Sequence, residues 1–521
     1  MGRGHGEVIR LSTAPTPSTT DTRSGHSVHL FERRGQRLLY AADTPGVVRL
    51  DEVSHRLMSL RAQGVSLREC ADAVAADHGV EAAQRACREM HLLSRHGVLQ
   101  RRRAAPPVRE KHARLVRRYV RWPSKGIQLF VTEACNLRCR YCYAWHNDAL
   151  RGPQMPMDVA DAAIDFALTR NGNLRRMNIT FFGGEPLLNF GLIEHVVIHA
   201  RERARKLGKR VHLGLVTNGT LVDEEIAAFL KRHRVGVTLS LDGPPEIQNH
   251  MRPMPHDRPS FDATMRGARV LQAAGISFLT RATVTPLCTD RMALAAYFER
   301  ERLLPLQLTC AEGRTEGQSS FDIQREHWPD LRRSDEHVAD TILGRLAADR
   351  RVAYVPFAPM LSSIHSASSP SLPCGVTRAV TTVGVDGRLY PCHRYVGMDN
   401  YVMGDVWSGI DRHVHADYLR RYFEARTRCE TCWAAPACNL RCPWYMSCED
   451  GSFLPPAEWR CAEAQEWAER CIWLYGVLAE QHPDYLQRVV GGKAAATAKD
   501  THASSACAPY PNSDTFDADC H

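Results

Sequence analysis

The region from residue 126 to residue 310 alternates short apolar segments with longer segments of helical periodicity. The predicted strands cover residues 127–132, 177–182, 211–217, 235–241, 278–284 and 306–310, and the predicted helices include 157–170, 192–206, 224–233 and 261–274. Strands that alternate with helices indicate a parallel sheet. Six such units predict an α/β fold, a partial (β/α)6 TIM-like barrel, whose active site would lie at the carboxyl ends of the strands.

Three short apolar stretches followed by three helical stretches precede this barrel. They predict a winged-helix-like domain over residues 26–100. Residues 1–25 are rich in Ser, Thr, Gly and Pro, so we expect them to be disordered. The remaining boundaries that we predict are a basic linker over 101–125, the barrel over 126–345, a cysteine-rich domain over 346–475 and a mostly disordered tail over 476–521.

The stretch at 101–121, RRRAAPPVREKHARLVRRYVR, is strongly basic. It fits either a patch for an anionic ligand or nucleic acid, or a solvated linker with a helical end. Apart from Tyr119, no aromatic residue and no glycine interleaves the charge, which favours the linker. The net charge of the whole chain is +9 at pH 7, which is modest for 521 residues and predicts no nucleic-acid partner.

Hydropathy argues against a membrane protein. No run approaches the roughly 20 apolar residues that span a bilayer, so we expect no membrane partner. The first residues, MGRGHGEVIRLSTAPTPSTT, lack the apolar core of a secretory signal. We therefore expect a cytoplasmic protein.

The 18 cysteines are unevenly distributed, with three between residues 135 and 142 and eight between 374 and 461. Disulfides are rare in a reducing cytosol, so dense cysteine indicates metal ligation first. Buried free thiols are the alternative, and they suit the isolated Cys70, Cys87, Cys288, Cys310 and Cys471.

The first cluster, Cys135, Cys139 and Cys142, has the spacing C-x3-C-x2-C directly after the first predicted strand. Three thiolates on a short loop can hold three irons of a cubane cluster and leave the fourth iron open. A zinc site that uses His146 as its fourth ligand is the alternative.

This region resembles the radical S-adenosylmethionine (radical SAM) superfamily. An aromatic residue, Tyr141, precedes the third cysteine, and polar motifs follow the next four predicted strands. The resemblance implies that the cofactor's amino group is bound by the second strand's motif, that the third and fourth strand ends surround the ribose and the substrate, and that an arginine on the fifth strand pairs with the cofactor's carboxylate. The residues concerned are Gly183, Gly184, Glu185 and Pro186, then Asn218, then Ser240 and Asp242, and finally Arg281.

The sequence departs from many relatives shortly after Asp242. Where those relatives have His-Asp followed by Arg, this chain has Gln248 and Asn249, with Arg252 retained. This departure puts any role of the pair as a proton acceptor in doubt.

The second cluster resembles the SPASM extension of radical enzymes, because it carries the full series C-x12-G-x4-C, C-x2-C-x5-C-x3-C and a last cysteine. A pair of zinc ribbons is the alternative. The resemblance implies two auxiliary [4Fe-4S] clusters, and we expect a metal framework in place of a hydrophobic core here. By this analogy one cluster uses Cys374, Cys392 and Cys442, with its fourth iron open or bound by Cys448, and the other uses Cys429, Cys432, Cys438 and Cys461.

The N-terminal segment LLYAADTPGVVRLDEVSHRL is similar to the peptide-binding element of maturases that act on ribosomally made peptides. Such an element adds a leader peptide to a sheet edge. A winged-helix DNA-binding unit is the less favoured alternative.

Together these resemblances imply a radical SAM maturase with S-adenosylmethionine and three [4Fe-4S] clusters as cofactors. The segment FFGGEPLLNF is most similar to maturases that form thioether crosslinks from cysteine, including those of cysteine-rich peptides and of the quinohemoprotein amine dehydrogenase small subunit. The alternatives are a formylglycine-generating sulfatase maturase, another C–C or C–O crosslinking maturase, and a non-catalytic iron–sulfur or zinc peptide-binding scaffold. The expected partners are a precursor peptide or small protein and a reducing donor such as flavodoxin or ferredoxin.

Overall fold

The computed structural model of the protein describes residues 19–20, 28–42, 47–99, 108–121, 124–143, 152–312, 320–366, 372, 375–377, 380–435, 438 and 442–491. Several expectations lie outside these residues. They concern nearly all of the predicted disordered segment 1–25, His146, Cys374 and the tail beyond residue 491.

An eight-stranded sheet forms the centre of the molecule, with the spatial order β10-β9-β8-β7-β6-β5-β11-β12. Strands β5 to β10 are all parallel, which confirms the predicted α/β fold with a parallel sheet. These six strands are β5 Gly126–Thr132, β6 Arg176–Gly183, β7 Arg210–Thr217, β8 Gly236–Ser240, β9 Phe278–Val284 and β10 Leu306–Cys310.

Helices connect the parallel strands as the periodicity predicts. Their first turns are fixed by side chains: Asp223 accepts a hydrogen bond from the Ile226 N–H at 2.8 Å, and Asp290 caps another helix in the same way. Their apolar faces pack on the sheet in one continuous core. The helices are α5 Met157–Arg170, α6 Phe190–Lys206, α7 Glu224–Arg232, α8 Pro245–Met251, α9 Phe261–Ala273, α10 Arg291–Arg300 and α11 Trp328–Ala347.

Two further strands extend the sheet beyond the six that the sequence predicts. Strand β11, Thr381–Val383, pairs with β5 in the parallel direction. Strand β12, Leu389–Tyr390, then pairs with β11 in the antiparallel direction. The cysteine-rich region therefore begins as part of the barrel sheet. Because β12 runs opposite to β11, the chain after it turns back past the middle of β5, where His393 Nδ1 lies 3.0 Å from Gln128 Oε1.

The N-terminal unit has the predicted order of strands followed by helices. Its sheet has the order β1-β2-β3-β4, and β4 pairs only with β3 in the described part of the chain. Its elements are β1 Thr19–Thr20, β2 Val28–Arg33, β3 Gln36–Ala41, β4 Val47–Leu50, α1 Glu52–Ala62, α2 Leu67–His78 and α3 Val80–Arg95.

One face of this N-terminal sheet packs on helices from the other end of the chain. His29 stacks on Trp433 with ring centroids 3.4 Å apart and contacts Glu469 at 2.8 Å. Phe31 and Tyr40 share a buried core with Trp473. The helices in this core include α11, α12 Ala358–Ser366, α14 Glu458–Gln481 and α15 Pro483–Val490, so the helical chain continues past residue 475, where we expected the tail to begin.

The cysteine-rich region contains its own aromatic core. Buried Tyr395, Tyr401, Tyr418 and Trp444 pack together against the helix α13, Arg412–Glu424. The expectation that metal replaces a hydrophobic core here is therefore wrong. The remaining described elements are α4 Val108–Arg121, which packs on α13, and the short strands β13 Gly404–Asp405 and β14 Gly409–Ile410. None of the described helices combines the length and the apolar character needed to cross a membrane.

Candidate active site

The motifs that follow the predicted strands come together at one end of the barrel. The cysteine loop follows β5, and the other motifs follow β6, β7 and β8, while Arg281 lies within β9 beside Ser240. Parallel strands bring their carboxyl ends to the same edge, so this convergence follows from the sheet.

Backbone and amide hydrogen bonds, rather than the thiols themselves, hold the cysteine loop in place. The N–H groups of Arg138 and Arg140 donate to the carbonyls of Pro253, just after α8, and of Met251, at its end, at 2.7 and 2.9 Å. The side chain of Asn136 donates to Thr220 Oγ1 and accepts from Asn218, both at 2.8 Å. The loop is thereby fixed against the ends of β7 and α8.

The surroundings of the three thiols suit an anionic cluster. Cys135 Sγ accepts a hydrogen bond from the Leu137 N–H at 3.4 Å, and the Arg252 guanidinium lies 4.0 Å from Cys139 Sγ. Burial raises the pKa of Cys135 to about 12 and raises that of Cys139 as well, so metal-free thiols here are protonated. Iron binding would supply the charge that keeps them as thiolates, and the N–H and guanidinium groups would stabilise it.

The spacing of the thiols differs from that of a zinc site. Tetrahedral zinc with bonds of about 2.3 Å holds sulfur atoms about 3.8 Å apart. Among the described residues, no three cysteines have sulfur atoms within 4.8 Å of one another. Cubane clusters bind each cysteine to a different iron and so accept wider spacing.

Gly183 and Gly184 allow the end of β6 to lie directly against the cysteine loop. A Cβ atom on Gly184 would lie 2.1 Å from the Ala134 carbonyl oxygen, and one on Gly183 equally close to Thr132 O. Gly183 also has φ +144°, a conformation that side chains disfavour. These glycines thus allow the close approach of the backbone that carries the cysteines.

Gly184→Ala should therefore displace the cysteine loop. We expect the variant to lose about a third of the iron of a three-cluster enzyme and at least tenfold in S-adenosylmethionine cleavage, because the clash is with backbone. Iron content and 5′-deoxyadenosine formation measure both effects. Gly191→Ala is the matched control, since a Cβ there has no atom within 4 Å; equal losses in both variants would contradict the prediction.

Glu185 is 1% exposed, and its carboxylate accepts three hydrogen bonds from the chain itself. The donors are the Leu187 N–H at 3.1 Å, the Thr217 hydroxyl at 2.7 Å and the Asn218 N–H at 2.7 Å. Burial raises the pKa of Glu185 to about 7, although these hydrogen bonds oppose the shift. Glu185 thus joins the ends of β6 and β7, and its pairing with the cofactor's amino group stays a prediction.

Asp242 links the fourth strand to the cysteine loop. One carboxylate oxygen accepts from the Thr283 N–H at 2.9 Å, and the other contacts the Tyr141 hydroxyl and lies 3.0 Å from Arg252 Nε. Asp242 is fully buried. The aromatic residue of the cysteine motif is thereby tied to β8.

The two amides that replace His-Asp have structural partners. Gln248 is fully buried, its Oε1 accepts from the Asp242 N–H at 2.9 Å, and its Nε2 donates to Ser260 at 3.2 Å. Asn249 accepts from the Ser260 and Phe261 N–H groups at the start of α9. A buried amide with both groups paired offers no proton acceptor, so that function must lie elsewhere.

The segment after β12 contacts the barrel mouth. His393 Nδ1 lies 3.0 Å from Gln128 Oε1, and its ring packs on Phe182 and Tyr143 at centroid distances of 4.6 and 5.6 Å. The positive charges of Arg394 and Arg281 add to burial in lowering the pKa of His393 well below its usual value. Cys392 is thus adjacent to the cysteine loop, a contact that sequence spacing alone did not reveal.

Arg394 lies among aromatic rings between two predicted cluster ligands. Its guanidinium is 5.1 Å from the Tyr143 ring centroid and 5.3 Å from that of Tyr445. Burial lowers the pKa of Arg394, whereas the neighbouring Tyr445, Cys442, Tyr143 and Cys392 groups raise it, so Arg394 lies near both cysteines.

A separate group of cysteines forms farther from the barrel. The Arg428 guanidinium donates to Cys461 Sγ at 3.4 Å, and Gln465 donates to Cys432 Sγ at 3.6 Å. The charges of Cys429 and Cys432 raise the pKa of Cys461, although burial contributes most to the shift. The structure thus brings Cys429, Cys432 and Cys461 together; Cys438 is half-buried, and Cys374 lies outside the described residues.

Glu312 is a candidate functional residue that the sequence analysis missed. It follows β10 by two residues, is 15% exposed, and lies 3.6 Å from Arg460 Nη1. Burial raises its pKa, while the nearby charges of Arg460 and Arg394 lower it. Burial raises the pKa of Cys442, and the charge of Glu312 adds to this shift, so Glu312 lies near that predicted cluster ligand. Because the polar residues of the site follow the ends of the strands, its position just after the sixth predicted strand could have identified Glu312 from the sequence.

Residues 129–296 match the Radical SAM superfamily. This range contains the cysteine loop and all the strand-end motifs. The chain therefore contains a radical SAM domain, and the family implies S-adenosylmethionine and a [4Fe-4S] cluster as cofactors.

Three relatives illustrate the similarity. An uncharacterised protein of Methanocaldococcus jannaschii is 35% identical over 161 residues, 31% of this chain and 53% of that protein, so this chain matches about half of its length. The cysteine-type anaerobic sulfatase-maturating enzyme of Clostridium perfringens strain 13 is 24% identical over 64% of this chain and 88% of the enzyme. The structure of native anSMEcpe with bound AdoMet and Kp18Cys peptide has the same fold, with a TM-score of 0.59 and 22% identity over 69% of this chain and 99% of that one.

Proposed function

We propose that this chain, a radical SAM enzyme, is a maturase that joins a cysteine of a precursor peptide or small protein to a carbon atom through a thioether. The observation that carries the proposal is the contact between the cysteine loop and the segment Cys392, His393 and Arg394. A substrate cysteine held near Cys392 and Cys442 would lie beside the barrel mouth, where hydrogen would be abstracted.

The residues present suit the proposed cofactors. When bound, S-adenosylmethionine and the first cluster would supply hydrogen abstraction, and auxiliary clusters would accept an electron. We propose Cys135, Cys139 and Cys142 for the first cluster and keep the two auxiliary ligand sets predicted from the sequence. A reducing donor such as flavodoxin or ferredoxin would supply electrons from outside.

The chain's own groups would position the substrate thiol and accept its proton. Arg394 adds positive charge beside Cys392 and Cys442, which favours a thiolate there. We propose that the fourth iron of that auxiliary cluster is open to this thiolate. We propose that Glu312, whose charge affects Cys442, accepts the proton that leaves when the substrate thiol becomes a thiolate.

A balanced reaction supports the need for both acceptors. Forming one C–S bond from a C–H and an S–H removes two hydrogen atoms in total. One hydrogen atom would leave the carbon by abstraction, and the other would leave as a proton, accepted by Glu312 when the thiolate forms, and as an electron, for which the auxiliary clusters would be the acceptor. The product retains sulfur.

The N-terminal unit distinguishes this chain from a minimal sulfatase maturase. The anSMEcpe alignment uses 99% of that protein but only 69% of this chain. We propose that the N-terminal unit recruits the substrate's leader at the β4 edge. The described helices α2 and α3 expose Leu67, Val80 and Leu92, which suit a peptide's apolar side chains.

Leu92→Asp should weaken peptide binding about tenfold, because a charge at an apolar contact opposes burial. Uncoupled S-adenosylmethionine cleavage should not change. Leu207→Asp is the control, since Leu207 is also exposed but lies after α6. Deleting the whole unit is a poorer test, because Phe31 and Tyr40 belong to the C-terminal core. Equal affinity in Leu92→Asp and wild type would exclude this surface.

Formylglycine formation is the second candidate, favoured by similarity to the sulfatase-maturating enzyme. The two functions differ in the fate of sulfur. In the test, reconstituted enzyme is incubated anaerobically with a Cys-containing peptide encoded beside its gene. A thioether lowers the mass by about 2 Da with sulfur retained, and the Cys-to-Ser peptide should not react. Loss of sulfur from the peptide would favour formylglycine and refute thioether formation.

A further inference from the structure

A cavity of about 260 Å³ lies at the amino-terminal side of the central sheet. Its walls include Ser124, just before β5, and Met177, near the start of β6. The cysteine loop leaves the opposite, carboxyl end of β5. The cavity is therefore separate from the candidate active site.

Three arginines from different helices line this cavity. Arg121 ends α4, Arg170 ends α5 and Arg412 begins α13. None of the three has an ion pair or hydrogen bond with a carboxylate in the part of the chain that the structure describes. The side chain of Arg170 is accommodated by Gly409, where a Cβ would lie 3.1 Å from its Nη1.

Arg412 is exposed to solvent and lies where a bound anion would be favoured. It occupies the first turn of α13, where the helix dipole is positive and repels a cation. Asp411 is already occupied there, because its carboxylate accepts from the His413 and Val414 N–H groups at 2.7 and 3.2 Å. The rim of the cavity thus carries three exposed guanidinium groups, none of which pairs with a described carboxylate.

Two buried polar atoms in the cavity wall lack hydrogen-bond partners. Thr377 is 2% exposed and His415 is 3% exposed, and neither Thr377 Oγ1 nor His415 Nε2 is paired. Buried polar groups are normally paired, and each unpaired one costs about 1–3 kcal/mol. Thr377 also has φ +60°, a strained backbone conformation for a β-branched residue. These atoms point to a partner that is not part of the chain.

We propose that this cavity binds a small phosphate monoester. A dianion matches the three guanidinium charges better than a monoanion, and arginine's planar fork suits phosphate oxygens. Thr377 and His415 would hydrogen-bond the remaining oxygens. The organic part of the ligand would pack on Phe166 and Ile410, which also line the cavity.

Binding of phenyl phosphate to the reconstituted holoenzyme, measured by isothermal titration calorimetry, tests the proposal. The double variant Arg170→Gln/Arg412→Gln should bind at least tenfold more weakly. Thr377→Val should weaken binding about threefold and leave the ligand-free protein at least as stable, because it removes an unpaired buried hydroxyl. The control Arg68→Gln/Arg88→Gln, which changes exposed arginines of α2 and α3, should bind like wild type.

Binding of inorganic phosphate and of benzoate shows which part of phenyl phosphate the cavity recognises. Inorganic phosphate should bind at least tenfold more weakly than phenyl phosphate, and benzoate, a monoanion, more weakly than phenyl phosphate. Equal binding of benzoate and phenyl phosphate would overturn the assignment of a phosphate ligand. No measurable binding of phenyl phosphate, or unchanged affinity in Arg170→Gln/Arg412→Gln, would overturn the site itself.

Discussion

Changing Cys135, Cys139 and Cys142 together to Ala is expected to abolish cleavage of S-adenosylmethionine while about 8 of about 12 irons per chain survive. No thiolate would remain for the first cluster, whereas Cys392, Cys442 and the group around Cys461 lie on other segments. Anaerobic iron content and 5′-deoxyadenosine formation with dithionite measure the two effects.

The structure shows why this variant should still fold. The loop is held by the Arg138 and Arg140 N–H groups and by the amide of Asn136, and none of these contacts uses a thiol. The control Cys87→Ala/Cys288→Ala removes two isolated cysteines and should keep full activity. Continued 5′-deoxyadenosine formation by the triple variant would refute the ligand assignment, and an iron content near zero would refute separate auxiliary clusters.

Much of the barrel could be predicted from the sequence because each strand is a local apolar segment set between helical segments. The strands at 278–284 and 306–310 have the predicted limits. Strand β11 has only three residues, and its position depends on pairing with β5 and on the hydrogen bond from Thr382 to Gln128. A pattern within three residues carries no such long-range information, so β11 and β12 were missed.

In the candidate site, too, local motifs could be predicted from the sequence, whereas long-range contacts could not. The cysteine spacing and the strand-end motifs are local, so the sequence located them. The contact of His393 with Phe182, about 210 positions away, depends on the two added strands. Likewise, the hydrogen bond from Gln248 to Ser260 depends on how α8 and α9 pack, so the structural role of Gln248 could not be predicted from the sequence.

The packing of the N-terminal unit could not be predicted from the sequence. Its order of strands and helices suggested a separate recognition domain, yet His29 stacks on Trp433, one residue after Cys432. A peptide bound at the β4 edge would thus attach to a sheet that contacts the segment of Cys432, a predicted ligand of the cluster farther from the barrel. The proposed recruitment surface and this predicted cluster would therefore belong to one packed body, because Phe31 and Trp473 lie in the same core.

Glu312→Gln is expected to lower product formation about a hundredfold or more, because a positioned proton acceptor contributes 10²–10⁴-fold. Uncoupled S-adenosylmethionine cleavage without peptide should stay at the wild-type rate, since the cysteine loop and Asp242 do not contact Glu312 in any described hydrogen bond or ion pair. The measurement compares peptide crosslinking by mass spectrometry with 5′-deoxyadenosine formation in the same sample.

Glu463→Gln is the matched control for Glu312→Gln. The Glu463 side chain is 14% exposed and lies 3.0 Å from Arg332 Nη2, as Glu312 is 15% exposed and pairs with Arg460. Burial raises the pKa of both carboxyls. If buried, arginine-paired glutamates matter only for packing, the two variants should lose activity alike. Selective loss of crosslinking in Glu312→Gln, with cofactor cleavage retained, identifies Glu312 as the proton acceptor, and wild-type crosslinking by Glu312→Gln would remove it from that role.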